Sequence, residues 1–291
     1  MMNKNIKQVL TLVMSMFLTT SYFSQSYKFL YEMSWKPSKT SIAYNKELTS
    51  LTFDENNNSY FQAYDNFRKD SLKTKIIIDY EKSQVKGSLR IPSSDRDAKF
   101  RSLIIKRNAE KDVIQEETFF TKTFSIRFPC KIVWNLKNEK PTEKIMGYDV
   151  KKATCNFGGR KWIAFYTSEI PIQDGPYKFS GLPGLILKIL DSKEDYIFEI
   201  KGITKEVNDL KYRNFGNGKP VELSPVRWET FLKKYKEQPS MILENLNTTQ
   251  TTYVINGKDV SSRDVKDEYN KKEWLAFKNF ENPIEVEPSC K

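Results

Sequence analysis

The sequence predicts a mainly β (α+β) fold: a curved antiparallel sheet or half-barrel, followed by C-terminal helices. Two patterns support this prediction. Apolar and polar residues alternate with the period of β-strands in many segments between residues 27 and 203, and helical periodicity appears only after Ser224. The 291 residues, 38% of them hydrophobic, can bury one sizeable core. We expect a single domain over residues 26–291, with a helical extension from about residue 224.

Residues 1–25 are typical of a secretory signal peptide. Lys4 and Lys7 precede an apolar stretch at residues 9–18, and small or polar residues follow it. This stretch is shorter than the ~20 residues that a membrane-spanning helix needs. We therefore expect an exported protein that is periplasmic, associated with the outer membrane or secreted. We expect no transmembrane span in the mature chain.

The mature chain begins with a predicted strand at residues 27–35, where large apolar side chains alternate with smaller or charged ones. Residues 51–54 and 59–64 flank the turn-rich stretch 55–58 and predict a hairpin. Further strand candidates are residues 75–80, 103–105, 118–128 and 131–136.

Two more hairpins are predicted in the central third of the chain. Residues 145–157 and 160–167 are joined by a Gly-Gly pair, which permits the positive φ angles of a tight turn. Residues 185–190 and 196–203 flank a polar turn and predict a second antiparallel pair.

Helices are predicted only toward the C-terminus. Ser224 can cap the free N–H groups of a helix whose first residue is Pro225, and Pro239 interrupts that helix. A second, charged segment covers residues 262–280. The side chains expected to face inward in this segment are Tyr269, Trp274 and Phe277.

The chain is basic, with 48 Lys and Arg against 37 Asp and Glu. Charges of both signs alternate almost everywhere, which is typical of a solvated surface. Nucleic-acid binding proteins more often concentrate their basic residues together with aromatic ones. We expect no nucleic-acid partner, and at most a weak electrostatic preference for anionic lipid or polysaccharide.

Three cysteines are present, Cys130, Cys155 and Cys290. An exported protein matures where disulfides persist, and Cys130 and Cys155 both lie in predicted β segments, so a disulfide between them is one expectation. Three unpaired thiols are the alternative. The chain has no His and no Cys-x-x-Cys pair, so the sequence predicts neither a metal site nor a cofactor.

The absence of His also excludes Ser-His-Asp and Cys-His catalytic arrangements. No glycine-rich phosphate loop of Walker or Rossmann spacing occurs. Carboxylate pairs, such as Asp79 with Glu81 or Glu116 with Glu117, leave open a His-independent hydrolase of an envelope polymer. In a sequence this rich in charge, such pairs are more often surface residues.

Residues 170–186 are rich in glycine, proline and apolar side chains. Pro183 followed by Gly184 suits a type II turn, because Pro fixes φ at the first central position and Gly accepts a positive φ at the second. The segment is either a buried corner between two strands or a rigid loop that covers or lines a cleft.

The stretch Gly181-Leu182-Pro183-Gly184-Leu185-Ile186 resembles the signature of the GLPGLI family of exported bacterial proteins. Stretches that are similar to the family pattern in the same order include Trp134, Gly147-Tyr148, Gly159-Arg160, Trp162 and residues 282–285. The pattern has a Cys just after Gly-Tyr, where this chain has Val150. The family has no assigned activity. Its order of strands resembles that of periplasmic lipoprotein carriers, which implies a curved sheet with a concave, apolar face.

We expect a non-enzymatic envelope protein that binds an apolar or peptide ligand, or docks on an outer-membrane protein, through the concave face of its sheet. The His-independent hydrolase is the alternative. The candidate ligand-binding residues lie in and beside the glycine-rich segment: Arg160, Trp162, Tyr177, Lys178, Gly181, Leu182, Pro183 and Gly184.

Overall fold

The computed structural model describes residues 26–54, 56–83, 98–107, 112–120, 122–128, 131–136, 140–141, 143–206, 219–243, 253–255 and 258–287. The predicted signal peptide at residues 1–25, Cys130 and Cys290 lie outside the described residues.

The described strands are β1 (Ser26–Trp35), β2 (Asn45–Phe53), β3 (Ser59–Ala63), β4 (Leu103–Arg107), β5 (Asp112–Phe119), β6 (Lys122–Phe128), β7 (Glu143–Ile145), β8 (Tyr148–Phe157), β9 (Arg160–Thr167), β10 (Leu185–Asp191), β11 (Tyr196–Glu206), β12 (Val221–Leu223), β13 (Tyr253–Ile255) and β14 (Lys258–Val260). Twelve of them form one open sheet in the order β12-β6-β5-β4-β3-β2-β1-β11-β10-β9-β8-β7. Neighbouring strands are antiparallel, except that β12 lies parallel to β6. Strands β13 and β14 form a separate ribbon. The predicted mainly β fold is confirmed.

Strand β1 lies in the middle of the sheet, between β2 and β11. Because side chains alternate across a strand, Phe29, Tyr31, Met33 and Trp35 share one face, where all four are fully buried. The predicted first strand is confirmed, and its large apolar residues form the centre of the core.

The predicted hairpins are confirmed as β2–β3, β8–β9 and β10–β11. Gly158 and Gly159 form the turn of the second hairpin with φ angles of 59° and 71°. Glycine adopts this left-handed region without a steric penalty, so the Gly-Gly pair sets the turn and the register of β8 against β9.

The described helices are α1 (Tyr64–Ser83), α2 (Pro225–Glu237) and α3 (Ser262–Lys278), with a short 3₁₀ helix at Pro239–Leu243. The predicted start of α2 is confirmed, because the Ser224 side chain accepts a hydrogen bond from the backbone N–H of Arg227. Ser261 and Asp264 form a capping box at the start of α3. No helix in the described part of the chain combines the length and apolar character that crossing a membrane requires.

The structure corrects the predictions for several segments. Residues 131–136 form no strand and contribute only an isolated bridge, between Asn135 and Thr154. The predicted strand at residues 145–157 is interrupted by a turn at residues 146–147, where both φ angles are positive.

Residues 75–80 lie in α1, since the helix-favouring residues before them extend the helix through three consecutive Ile, and α1 packs on β2 and β3. Residues 118–128 form parts of two strands, because Phe120 turns the chain with a φ of 55°. Trp274 is 44% exposed rather than inward, whereas Tyr269 and Phe277 do pack against buried residues.

The buried residues form two clusters. The first covers the sheet from β1 to β5 and from β8 to β11, together with the segment between β9 and β10. The second lies where β5 and β6 meet α2, α3 and the 3₁₀ helix. Aromatic contacts dominate the second cluster, for example Phe119 against Tyr235, with ring centroids 4.4 Å apart.

Candidate functional site

Residues 174–184, which we call the central loop, lie between β9 and β10 and fold onto the buried face of the sheet. Tyr177, Phe179 and Leu182 are at most 3% exposed. Phe179 packs against Trp162, with ring centroids 4.7 Å apart. The loop therefore contributes its own side chains to the first core cluster.

One anchor of the central loop is the buried Lys106 of β4. Its ammonium group forms an ion pair with Asp174 and donates hydrogen bonds to the carbonyl oxygens of Gly175 (2.6 Å) and Phe179 (3.4 Å). Burial lowers the pKa of Lys106, and the charge of Asp174 acts in the opposite direction. The three donors of the ammonium group thus have three acceptors in the loop.

A second anchor is Lys178, whose side chain is 1% exposed and whose Nζ lies 2.7 Å from Glu285 Oε1. The same Nζ lies 3.9 Å from the centroid of the Phe128 ring. The hydroxyl of Tyr177 donates a hydrogen bond to the Glu285 carboxylate as well. Burial lowers the pKa of Lys178 and raises that of Tyr177; Glu285 opposes the first change and reinforces the second.

Glu285 belongs to residues 279–287, which follow α3 and which we call the closing segment. Phe280 of this segment stacks on Trp35, with ring centroids 5.0 Å apart. A Cβ atom at Gly158 would lie 2.8 Å from the side chain of Glu285. Glycine at the β8–β9 turn therefore allows the closing segment to approach the sheet closely.

Arg160 joins the closing segment to the end of the sheet. Its guanidinium group lies 3.1 Å from both Asp191 and Asp195, and it donates hydrogen bonds to the side-chain oxygen of Asn282 (2.6 Å) and the carbonyl oxygen of Pro283 (2.8 Å). Burial alone would raise the pKa of Asp195, but the hydrogen bonds it accepts, led by that from Arg160, lower it. Lys36 also lies 3.4 Å from Asp195, so the two carboxylates meet two cations.

The exposed part of the central loop is its tip. Gly181 and Pro183 are exposed, while Leu182 between them is 1% exposed and points into the core. Beside the tip, the indole N–H of Trp134 donates a hydrogen bond to the carbonyl oxygen of Ser180 (2.8 Å). The tip is therefore an accessible turn on a buried base.

The structure brings the predicted binding residues into one region but does not expose them all. The buried ones are Arg160, Trp162, Tyr177, Lys178, Leu182 and Gly184, and the exposed ones are Gly181 and Pro183. In this structure, Arg160 and Lys178 bind carboxylates of the chain itself. A ligand-binding role for the buried residues stays a prediction.

Several partners of the site were not predicted as site residues. Lys106 and Asp174 form the first anchor, and Asn282 and Glu285 bind Arg160 and Lys178. Asn282 and Glu285 lie in the stretch 282–285, whose resemblance to the family pattern is a sequence signal that could have identified them. Lys106 lies in an ordinary strand sequence, which carries no signal of its role at the site.

Cys155 lies in β8 as a buried free thiol, and burial raises its pKa to about 12. Cys130, its predicted partner, lies outside the described residues. The free thiol does not support the predicted bridge, which stays a prediction that the mass of the protein under non-reducing conditions can test.

An open groove of about 410 Å³ lies between β7 and strands β10 and β11. Its lining includes Lys144, Lys188, Glu199 and Lys201, and contains none of the predicted binding residues. Lys201 and Glu199 neutralise each other there at 2.8 Å. Across the described residues, no three His, Cys, Asp or Glu side chains are grouped so as to hold a metal ion.

A family model described as "Protein of unknown function (Porph_ging)" matches residues 158–188. The matched segment contains the Gly-Leu-Pro-Gly-Leu-Ile stretch and all eight of the predicted binding residues. The resemblance to the GLPGLI family is thus confirmed over this segment, and the match carries no activity with it.

Two solved structures of PNGF-II, in space groups C2 and P21, are similar to this chain at 16% and 17% identity, each with a TM-score of 0.48. Each similarity covers 73% of this chain and 34% of the PNGF-II chain, so this chain spans about a third of the length of PNGF-II. No curated protein matches the sequence.

Proposed function

We propose that this chain is a non-enzymatic, exported envelope protein that docks on an outer-membrane protein through the tip of its central loop. The observation that carries this proposal is the contrast within the loop. Gly181 and Pro183 are exposed, whereas buried ion pairs hold the loop at Asp174 and Lys178. A turn that is already held in place loses little conformational freedom when it binds a partner.

The neighbourhood of the tip suits recognition of a protein surface. Pro171 and Gln173 are exposed beside it, and the backbone N–H of Gly181 donates to the carbonyl oxygen of Gln173 (3.1 Å). The exposed surface thus combines proline rings with polar amide groups on a rigid scaffold, the setting in which loops most often carry binding.

A ligand bound on the concave face is the less supported form of the same function. Tyr177, Phe179 and Leu182 already occupy the buried face of the sheet. A cargo would have to displace these side chains and break the ion pair of Lys178, and breaking a buried ion pair costs about 3–5 kcal/mol. We therefore place the binding surface at the tip.

The proposal that the protein is not an enzyme rests on where its carboxylates lie. Glu116 and Glu117 are consecutive in β5, so their side chains point to opposite faces of the sheet and do not flank one bond. Asp191 and Asp195 share Arg160, and the pKa of Asp195 is lowered, whereas a general acid needs a raised one.

Site-specific photo-crosslinking in intact cells tests the docking. A photoreactive amino acid replaces Pro183 in the tip or, as the control, the exposed Glu229 of α2. We expect a discrete adduct with an outer-membrane protein from position 183 and none from position 229. The absence of an adduct from position 183, or the same adduct from both positions, would contradict the proposal.

Native mass spectrometry of the mature protein, purified from its own periplasm, tests the carrier alternative. We expect the mass of the chain alone. A bound mass that disappears on lipid extraction would instead identify the protein as a carrier and would overturn docking through the tip as its main function.

A further inference from the structure

The half of α3 nearest its C-terminus carries a basic and apolar surface. Lys271, Trp274, Leu275 and Lys278 are spaced i, i+3, i+4 and i+7, so they share one face of the helix. Trp274 is 44% exposed and Leu275 is 66% exposed. Both lysines beside them are exposed as well.

The end of α2 adds a third lysine to this surface. The indole N–H of Trp274 donates a hydrogen bond to the carbonyl oxygen of Lys236 (3.0 Å). The Nζ of Lys236 lies 5.9 Å from the centroid of the Phe277 ring, so this lysine lies beside α3. We call Lys236, Lys271, Trp274, Leu275 and Lys278 the basic patch.

The lysines of the basic patch are not held in ion pairs by the described part of the chain. None of its three lysines forms an ion pair with another residue in the described ranges. Asp267 and Glu268 lie four and three residues before Lys271 on the same face of α3, so they offset part of its charge, whereas Lys236 and Lys278 have no acidic residue three or four positions away within their helices. Lys236 and Lys278 therefore keep positive charge beside the two exposed apolar side chains, and Lys271 adds a partly offset one.

We propose that the basic patch docks the protein on an anionic phospholipid surface. The side chains of Trp274 and Leu275 enter the interfacial layer, where the amphipathic ring of Trp is favoured. The ammonium groups of Lys236, Lys271 and Lys278 meet the headgroup phosphates. The net charge is +11 over the whole chain and +9 without Lys4 and Lys7 of the predicted signal peptide, and it favours the approach.

The layered chemistry of the patch argues for lipid as its occupant. Two apolar side chains lie among three lysines, which matches a lipid surface with anionic headgroups above an apolar interior. A uniformly apolar partner would leave the lysines without counterions. The patch and the loop tip share no residue. This inference therefore stands or fails independently of the proposed function.

Co-sedimentation of the mature protein, residues 26–291, with lipid vesicles tests the proposal. One set of vesicles contains phosphatidylglycerol and phosphatidylcholine, and the other contains phosphatidylcholine alone. We expect binding to the first set only, and weaker binding as salt is added. Replacing the three patch lysines, K236Q/K271Q/K278Q, should weaken binding roughly a hundredfold.

A matched control separates the patch from net charge. The variant K39Q/K161Q/K193Q removes three exposed lysines elsewhere and should weaken binding far less than K236Q/K271Q/K278Q does. Leu275→Ser should weaken binding without changing charge. No binding to anionic vesicles, equal binding to neutral ones, equal losses in the two triple variants, or no effect of Leu275→Ser would overturn the proposal.

Discussion

Gly147 and Gly184 both have positive φ angles, 87° and 143°, but their surroundings differ. No atom lies within 4 Å of the place where a Cβ would stand at Gly147. A Cβ at Gly184 would collide with the carbonyl oxygen of Thr167, at the end of β9. Gly147 therefore requires glycine only for its backbone angle, whereas Gly184 requires glycine also because the central loop packs closely against β9.

Gly184→Ala should destabilise the protein by at least about 3 kcal/mol, because the loop must shift away from β9. Gly147→Ala is the control and should lower the free energy of unfolding by only about 1 kcal/mol, the cost of holding alanine at a positive φ angle. Urea unfolding of both variants measures the two free energies. Equal losses would show that the close approach to Thr167 is not needed for stability.

The buried pair of Lys178 and Glu285 allows a second test at this scale. Glu285→Gln removes the countercharge of a buried ammonium group, so we expect a loss of about 3 kcal/mol in the free energy of unfolding. Lys178→Met added to this variant should restore part of the loss, because no uncompensated charge then remains.

The surface pair of Lys201 and Glu199 is the control for this buried pair. Glu199→Gln should change stability by less than about 1 kcal/mol, since water screens exposed charges. A similar loss at both sites, or a double variant less stable than Glu285→Gln alone, would contradict a costly buried charge at Lys178.

At the scale of elements, the closing segment links α3 to the sheet. It provides Glu285 to Lys178, Asn282 to Arg160 and Phe280 to Trp35. Each contact joins the segment to a different part of the first core cluster. The segment therefore acts as a clamp, although it has no regular secondary structure between residues 279 and 287.

A chain of residues 26–278 should lose at least about 3 kcal/mol of stability, because Lys178 is left buried without its countercharge and Trp35 without its stacking partner. A chain that ends at residue 287 is the control and should be unchanged within about 0.5 kcal/mol. Thermal unfolding compares the two. Equal stability of both chains would contradict the clamp.

Helix α1 carries a carboxylate whose pKa depends on packing. Burial raises the pKa of Asp70 to about 6, from 3.8 for the ordinary side chain, although Lys73 and Lys69 oppose the change. The folded state therefore binds the proton more tightly, and this group makes the protein less stable as pH rises from about 4 to 6. Above that window the penalty stays constant.

Asp70→Asn should thus stabilise the protein at pH 8 and have no effect of this kind at pH 3.5. The gain is bounded by about 3 kcal/mol, at about 1.4 kcal/mol for each unit of pKa. Unfolding by urea at both pH values measures it. The exposed Asp79 of the same helix is the control, and an equal gain from Asp79→Asn would contradict the role of burial.

At the scale of the whole molecule, the sequence predicted the elements that have short-range signals. The period-two pattern of residues 27–35, the Gly-Gly turn of β8–β9 and the Ser224-Pro225 helix start each lie within a few residues and were read correctly. The glycine-rich segment was predicted as either a buried corner or a loop over a cleft. Its base is buried between two strands, as the first alternative expects, and its tip is exposed.

The long-range arrangement had no comparable signal. Nothing local to Lys106 indicates that it meets Asp174, and nothing local to Trp274 indicates that α2 leaves it exposed. Three consecutive Ile in α1 favoured a strand by propensity, which the helical context of residues 64–83 overrode. The twelve-strand order likewise depends on contacts between distant residues.

Because β1 lies in the middle of the sheet, the sheet cannot be completed until both neighbours of β1 have been synthesised. Its Trp35 pairs with Tyr196, so one of its two neighbours is synthesised more than half the chain later. Until β11 emerges, a nascent β1–β2 hairpin has an open edge and an uncovered aromatic face, which can pair with other chains. We expect slow completion of folding and dependence on a holding chaperone. If the N-terminal residues direct export as their sequence predicts, the same delay keeps the chain open for its passage across the membrane.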